Sequence, residues 1–385
     1  MQTMKAHVTS GVDSAAKYDR LLKGKRIGLM TNPTGIDHDL NSTIDILHGR
    51  YGLSALFACE HGVRGDRQAG EKVSTYRDPQ TGITVYSVYG KSQRLSPEML
   101  DALDILVYDI QDVGARFYTY LYSLAYAMEE CAKAGKPVLV LDRINPIGGV
   151  KCGGTILDLR FASFVGDYEL PTRTGLTCGE YARYIRSYLK LDLDLTVAAL
   201  TGWKRAMYLD DTDLPWVAPS PNCPDLSAAL AYVGTCIFEG TNISEGRGTT
   251  LPFEVIGAPW IDDAKLEKNM NQLGLPGVRF RRTAFQPTFS KHTGELCHGV
   301  QLHITDREAA DPFFAALKLM ERIREMHPDK IEYTSWDGGK TFWLDKLLGT
   351  DAFRAGKKSA RQLADHHLPG VEAFRKAVKP FLAYD

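Results

Sequence analysis

The chain has 385 residues, 44% hydrophobic and 24% charged, the mix of an ordinary globular protein with a sizeable core, and its length favours two domains. A net charge of −1 without any basic tract argues against a nucleic-acid or anionic-membrane partner. No apolar run reaches the roughly eighteen residues of a membrane-spanning helix, so no membrane insertion is expected.

Along the first 150 residues, short apolar, β-rich runs recur at 26–31 (RIGLMT), 54–59 (SALFAC), 83–89 (ITVYSVY), 104–109 (DILVYD) and 137–142 (PVLVLD). They lie roughly twenty to thirty residues apart with helical patterns between them, the spacing of βαβ units. The fold expected is α/β, a Rossmann-like parallel sheet, with strands continuously apolar because both faces are covered. Helix ends are legible too. Ser96-Pro97 starts one helix, 118–134 forms another that stops at Gly135, and Thr177-Cys178-Gly179-Glu180 is a capping box. Between Glu60 and Thr81 the chain reads EHGVRGDRQAGEKVSTYRDPQT, glycine-rich and charged without helical period, which is how a functional loop reads. Further on come strand-like 195–200, a proline-rich loop VAPSPNCPDL (217–226) and a polar loop EGTNISEGRGTTLPFE (239–254). Strand-like 278–285 and 299–305, a helix over 312–326 and a helical C-terminus then suggest a smaller α+β domain. The expected division is 1–262, the Rossmann-like catalytic domain, and 263–385, a smaller domain closing the cleft.

In open α/β sheets, ligands bind beyond the carboxyl ends of the strands. Those ends carry Asn32-Pro33-Thr34-Gly35, Glu60-His61-Gly62-Val63-Arg64-Gly65, Asp109 through Arg116, and Asp142-Arg143-Ile144-Asn145. Asn32, Asp109 and Asp142 read equally well as turn formers or helix caps. Glu60 does not, because glutamate is a poor turn residue. A carboxyl group at the mouth of an apolar strand is partly desolvated, the environment of a general acid. The usual cofactor signatures are absent: there is no GxGxxG after the first strand, no GxxxxGK[ST] and no GxSxG elbow, so no cofactor is expected. His61, His292, His298 and His303 have no metal-ligand spacing, and no metal is expected either. In the second polar loop Glu239, Asn242, Glu245 and Arg247 stand among glycines and hydroxyls, a surface suited to a hydroxyl-rich ligand. Phe117, Tyr118, Tyr120 and Trp203 are candidates to stack on sugar rings. The seven cysteines, odd in number and scattered, read as buried reduced thiols. With an N-terminus that lacks a signal-peptide core, they favour the cytoplasm, or an extracytoplasmic location if a leader was trimmed.

The blocks FACEHGVRGD, DIQDVGARFYTY, DRINPIGG, PSPNCPDL and FEGTNISEGRGTTLPFE resemble the signatures of the exo-acting β-N-acetylmuramidases, a glycoside hydrolase family long known as a bacterial domain of unknown function. The quoted blocks run in order from residue 57 to residue 254, within a resemblance that extends from about residue 10 to beyond residue 300. The resemblance implies a Rossmann-like N-terminal domain, a smaller C-terminal domain, an active site in the cleft between them, and release of N-acetylmuramic acid from non-reducing ends of peptidoglycan fragments. It places the catalytic glutamate of the Glu-His-Gly motif on Glu60. One departure is visible: Thr174-Gly175-Leu176-Thr177 stands where His-Gly-Met-Thr is expected.

Glycoside hydrolysis requires protonation of the leaving oxygen and stabilisation of an oxocarbenium-like transition state. Glu60 is the expected proton donor. Asp112, Glu71, Glu239 and Glu245 are the candidates for a base or nucleophile, unless the substrate's 2-acetamido group serves. Arg64, Arg116 and Arg247 are candidates for a guanidinium fork on the lactyl carboxylate. His61, Tyr118, Asn145, Glu239 and Asn242 complete the expected substrate-binding set. The rival readings are a non-catalytic glycan-binding protein on the same scaffold and a nicotinamide-dependent oxidoreductase.

Overall fold

The computed structural model describes residues 5–65, 75–90 and 92–385. Its strands, in chain order, are β1 (Ile27–Thr31), β2 (Leu53–Ala58), β3 (Tyr76–Arg77), β4 (Thr84–Ser87), β5 (Ile105–Asp109), β6 (Val138–Leu141), β7 (Gly153–Ile156), β8 (Pro171–Arg173), β9 (Leu195–Ala198), β10 (Val255–Ala258), β11 (Val278–Phe285) and β12 (Cys297–Ile304). Seven form one sheet in the order β3-β4-β2-β1-β5-β6-β9. All neighbours are parallel except β3, which runs antiparallel to β4 at the edge. Without β3 the order is that of a doubly wound sheet, and the direction of winding reverses between β1 and β5.

Every residue of β1, β5 and β6 is buried, as continuous apolar runs in a sheet covered on both faces must be. The expected strands are all present. Among its described residues, the long polar stretch after Glu60 holds an element that its composition hides, the two-residue β3. The helix signals operate as read. Ser96 caps Pro97–Asp101, and Thr177 caps Cys178–Tyr188 in a reciprocal capping box with Glu180. The helix Tyr120–Lys133 is buried along most of its length and ends before Gly135, whose φ is +62°.

β7 and β8 form a small separate hairpin, and β10, β12 and β11 make a three-stranded antiparallel sheet. β11 alternates buried and exposed positions over its first residues, as one face meets helix Asp263–Gln272 and the other meets water. The second sheet takes β10 from the N-terminal side of residue 262, and helix Leu226–Thr235 packs on helix Pro312–Met326. The chain then returns to the first sheet. Helix Ala360–Val378 packs on β7, and the Tyr384 hydroxyl donates to Asp142 at 2.6 Å. Among the described residues, no helix is long and apolar enough to cross a membrane. All seven cysteines are free and six are buried.

The polar ends of β5 and β6 are consumed by this packing. Asp109, wholly buried, receives Arg143 Nε on Oδ1, and Arg143 Nη2 (2.8 Å) and the Thr43 hydroxyl on Oδ2. Arg143 also donates to the Ile36 carbonyl at 2.8 Å, tying the loops after β1, β5 and β6 together. Asp142 accepts from Thr177, from Tyr384 and from the Gly179 amide at 2.7 Å. A Cβ on Gly179 would lie 2.6 Å from that carboxyl group, so only glycine fits there. Replacing Arg143 by leucine strands the Asp109 charge in the interior. It should lower the unfolding free energy by about 3–5 kcal/mol, read from the denaturation midpoint in urea.

Candidate active site

β2 and β4 are parallel neighbours with Ala58 paired to Ser87. Two residues beyond that pair on each strand stand Glu60 and Tyr89, so the sheet register itself sets them side by side. The Tyr89 hydroxyl donates to Glu60 Oε1 at 2.9 Å. Thr119, at the start of the helix that follows β5, donates to Oε2 at 3.1 Å. The turn after Glu60 runs through left-handed backbone at His61 (φ +73°) and Gly62 (φ +78°). Both oxygens of Glu60 are thus oriented by neutral hydroxyls. Among the described residues no cation pairs with it.

Glu60 lies on the wall between an open cleft and an inner recess. The cleft, roughly 1420 Å³ with its mouth included, is lined by Glu60 and Tyr89 from the first sheet, Asn222 from the proline-rich loop, and Glu239, Glu245 and Arg247 from the second polar loop. Phe289, Ser290 and Lys291 from the β11–β12 connection, Trp336 from a late loop and Trp343 from the start of helix Trp343–Leu348 complete it. Trp336 is 70% exposed and Phe289 47%, large apolar surfaces left open at a concave site. The recess, about 450 Å³, shares Glu60 and Arg247 with the cleft and is walled by His61, Phe117, Tyr118, Tyr120, Tyr232 and Phe253. Its rings pack edge to face, with Tyr232 and Phe253 centroids 4.7 Å apart. Backbone strain collects here: of the six described non-glycine residues with positive φ, His61 and Phe253 line the recess and Ser290 lines the cleft.

Arg247 Nη2 donates to Glu239 at 2.6 Å and its Nε lies 3.3 Å from Glu245, while Lys291 meets the other oxygen of Glu245 at 2.8 Å. Burial works against the Arg247 charge, but the two carboxylates outweigh it and hold the guanidinium firmly protonated. The site thus offers carboxylates, a guanidinium, an ammonium, an amide and an aromatic rim, a surface for a hydroxyl-rich ligand bearing its own charge.

Residues 27–227 match the family model described as exo-beta-N-acetylmuramidase NamZ, N-terminal, and residues 230–384 match its C-terminal counterpart. The chain is 47% identical over 386 residues to the peptidoglycan beta-N-acetylmuramidase NamZ of Bacillus subtilis strain 168, spanning 99% of this chain and 92% of that protein. The chain belongs to the exo-β-N-acetylmuramidase NamZ family. The crystal structure of a DUF1343 family protein from Bacteroides fragilis NCTC 9343 superposes with a TM-score of 0.89 at 36% identity, covering 98% of this chain and 99% of that one. A second DUF1343 protein from the same organism gives 0.74 at 29% identity, with coverage of 98% and 99%.

The residues singled out in the sequence fall into distinct places in this family fold. Glu60, Glu239, Glu245 and Arg247 line the cleft, and His61 and Tyr118 line the recess. Arg64 is instead turned to Asp78 in a bidentate pair (2.9 and 3.0 Å), which holds that carboxyl down at about 2. Arg116, fully buried, donates to the carbonyls of Thr155, Leu170 (2.9 Å) and Leu347 (2.7 Å), stitching the chain's two halves. Asn145 and Asn242 spend their amides on backbone: Asn145 on Leu176 and Ile147, Asn242 on Lys330 and Glu332. Trp203 packs against Tyr384, outside the site. The departing turn Thr174–Thr177 serves as a helix cap beside Asp142. Glu71 lies outside the described residues. Tyr89, Asn222, Phe289, Lys291, Trp336 and Trp343 were missed. Asn222 sits in a signature block, and Trp336 in the apolar-poor SWDGGK, where an exposed tryptophan is the only signal.

Asp112 is buried and lines neither hollow. Its Oδ1 accepts from the Gly114 amide at 2.6 Å, while Oδ2 is buried without a hydrogen-bond partner. Desolvation pushes its carboxyl up to about 7. The unfolded chain ionises this group near its ordinary value of 3.8 and the folded chain near about 7, so folding retains a proton in between. Stability from this group therefore falls as pH rises across that window, by up to ~1.4 kcal/mol per pH unit, and is flat above it. Asp112→Asn should remove this slope, with wild type losing ground to the variant between pH 5 and pH 7 in parallel urea titrations (the window follows from the raised carboxyl).

Proposed function

We propose that this protein is an exo-acting glycoside hydrolase that releases terminal β-linked N-acetylmuramic acid from the non-reducing ends of peptidoglycan fragments, in the setting of cell-wall recycling. The observation that carries the reading is Glu60: a carboxyl group held by Tyr89 and Thr119, without a counter-cation among the described residues, on the wall of a cleft rimmed by exposed aromatic rings. Family membership supports the same activity.

In this reading Glu60 protonates the departing glycosidic oxygen, a contribution of about 10²–10⁴-fold in rate. Tyr89 and Thr119 fix the carboxyl plane, so that the proton is presented in one direction. Of the remaining carboxylates, Glu245 has both oxygens taken by Arg247 and Lys291 and is 1% exposed, which supports a structural role. Asp112 is buried and does not line the cleft. Among the described residues, Glu239 is then the cleft carboxylate available to orient water or the substrate's own 2-acetamido group at the reacting carbon. Trp336, Trp343 and Phe289 offer stacking faces for sugar rings. The lactyl carboxylate meets Arg247 rather than Arg64, Arg116 or Lys291, whose ammonium already donates to Phe238, Ile243 and Glu245. Arg247 engages Glu239 and Glu245 through Nη2 and Nε, which leaves Nη1 for a substrate oxygen. A division of the chain between residues 227 and 230 fits the two family matches and the packing of helix Leu226–Thr235 on helix Pro312–Met326. The seven free thiols support work in a reducing compartment.

Glu60→Gln keeps the shape and the Tyr89 contact but cannot donate a proton. Turnover of a chromogenic β-N-acetylmuramide should fall by about 10²-fold or more, with binding of free N-acetylmuramic acid retained. Full-speed turnover by the variant would remove Glu60 from the chemistry. Arg247→Lys removes the planar fork and should erode the preference for N-acetylmuramic over N-acetylglucosamine glycosides by about 10-fold in kcat/KM. Equal loss on both substrates would assign Arg247 to holding Glu239 and Glu245 alone.

A further inference from the structure

Outside both hollows, three loops bring together side chains that no motif connects. His7 lies on the N-terminal segment, which is pinned by bridges from Ala6 to Thr212 and from Thr9 to Thr201. His38 is on the loop after β1, and Asp213 follows the short turn Leu209–Asp211. His7 Nδ1 is 2.6 Å from Asp213 Oδ2, and His38 Nε2 is 3.1 Å from the same oxygen. One ligand atom from each residue lies within 4.8 Å of the others. Two further observations separate this cluster from ordinary surface ion pairing. Asp213 Oδ1 is occupied by the Val8 amide at 3.0 Å, which fixes the carboxylate so that Oδ2 faces both rings. His38 Nε2, although next to that oxygen, is shielded from solvent and makes no hydrogen bond of acceptable geometry, so a ring nitrogen points into the cluster without a partner of its own.

We propose that His7, His38 and Asp213 bind a divalent transition metal of the zinc class through two imidazole nitrogens and one carboxylate oxygen. The donor set is the one such ions take, at roughly 2.0–2.2 Å per ligand, with water in the fourth position. Around one ion those ligand atoms must stand farther apart than the present 2.6 Å contact, and His7, with its side chain 70% exposed, is free to swing out by that amount. The hydrogen bond from Val8 is the outer contact that orients the carboxylate ligand. The metal closes a clip between the N-terminal segment and two loops at the carboxyl edge of the sheet. None of the three residues lines the cleft or the recess, so the metal takes no part in glycoside hydrolysis.

The test uses the full chain stripped with a chelator. Titration calorimetry with Zn²⁺ alone should show one site per chain, Co²⁺ alone should give the visible bands of a four-coordinate N/O site, and saturating Zn²⁺ should raise Tm by a few degrees. His38→Gln and Asp213→Asn should each weaken zinc binding by about tenfold or more while leaving muramide turnover unchanged. His7→Gln alters only an exposed ring on the terminal segment, so it repeats the test should either of those variants fold poorly. Zinc uptake equal to wild type in all three variants, or no saturable uptake by the wild-type chain, overturns the proposal.

Discussion

A parallel sheet covered on both faces leaves its strands no place for polar side chains, and the rest of this molecule is arranged around that constraint. β1, β5 and β6 are buried at every residue, so polar groups appear where the strands end. The same rule produces Asn32, Glu60, Asp109 and Asp142 at the carboxyl ends of β1, β2, β5 and β6. What separates them is the partner each meets. Asn32 accepts from Thr34 in its own turn, Asp109 is neutralised by Arg143, and Asp142 is covered by Thr177, Gly179 and Tyr384. Of the four, it is Glu60, held by the hydroxyls of Tyr89 and Thr119, that lines the cleft.

The two halves of the chain supply different parts of the cleft. The first sheet contributes Glu60 and Tyr89 on a rigid register, and the later loops contribute the charged group of Glu239, Glu245, Arg247 and Lys291 and the aromatic rim. This division suits a hydrolase, whose reacting groups must be held closely in place. The halves are not left to drift. Arg116 bonds across them to Leu347, helix Ala360–Val378 packs on β7, and Tyr384 returns to Asp142. Arg116 and Arg64 thus spend on architecture the charge that their signature blocks suggested for substrate.

The strained positions follow the same pattern. His61, Phe253 and Ser290 hold left-handed backbone where the chain lines the cleft or recess. At His61 and Phe253, both buried, the cost is supported by a well-packed neighbourhood, including the edge-to-face rings of Phe117, Tyr118, Tyr232 and Phe253. The recess is therefore a shaped aromatic wall behind Glu60.

Much of this was legible along the chain. Continuous apolar runs fixed the strands, capping residues at Ser96 and Thr177 fixed helix starts, and the odd position of a glutamate after SALFAC marked Glu60, because these signals are local and each depends on a few neighbouring residues. Pairing is not local. Whether Arg64, Arg116 or Arg247 faces a ligand depends on which carboxylate or carbonyl lies opposite, and those partners come from residues 78, 347 and 239. The same holds for Tyr89, which reaches Glu60 only through the β2–β4 register, for Trp336 and Lys291, and for His7, His38 and Asp213, which meet from three loops. The sequence by itself determined the sheet and its polar edge, with a glutamate among the residues there; which of those charges are compensated was decided only in the folded molecule, because neutralisation is a property of space and not of order along the chain.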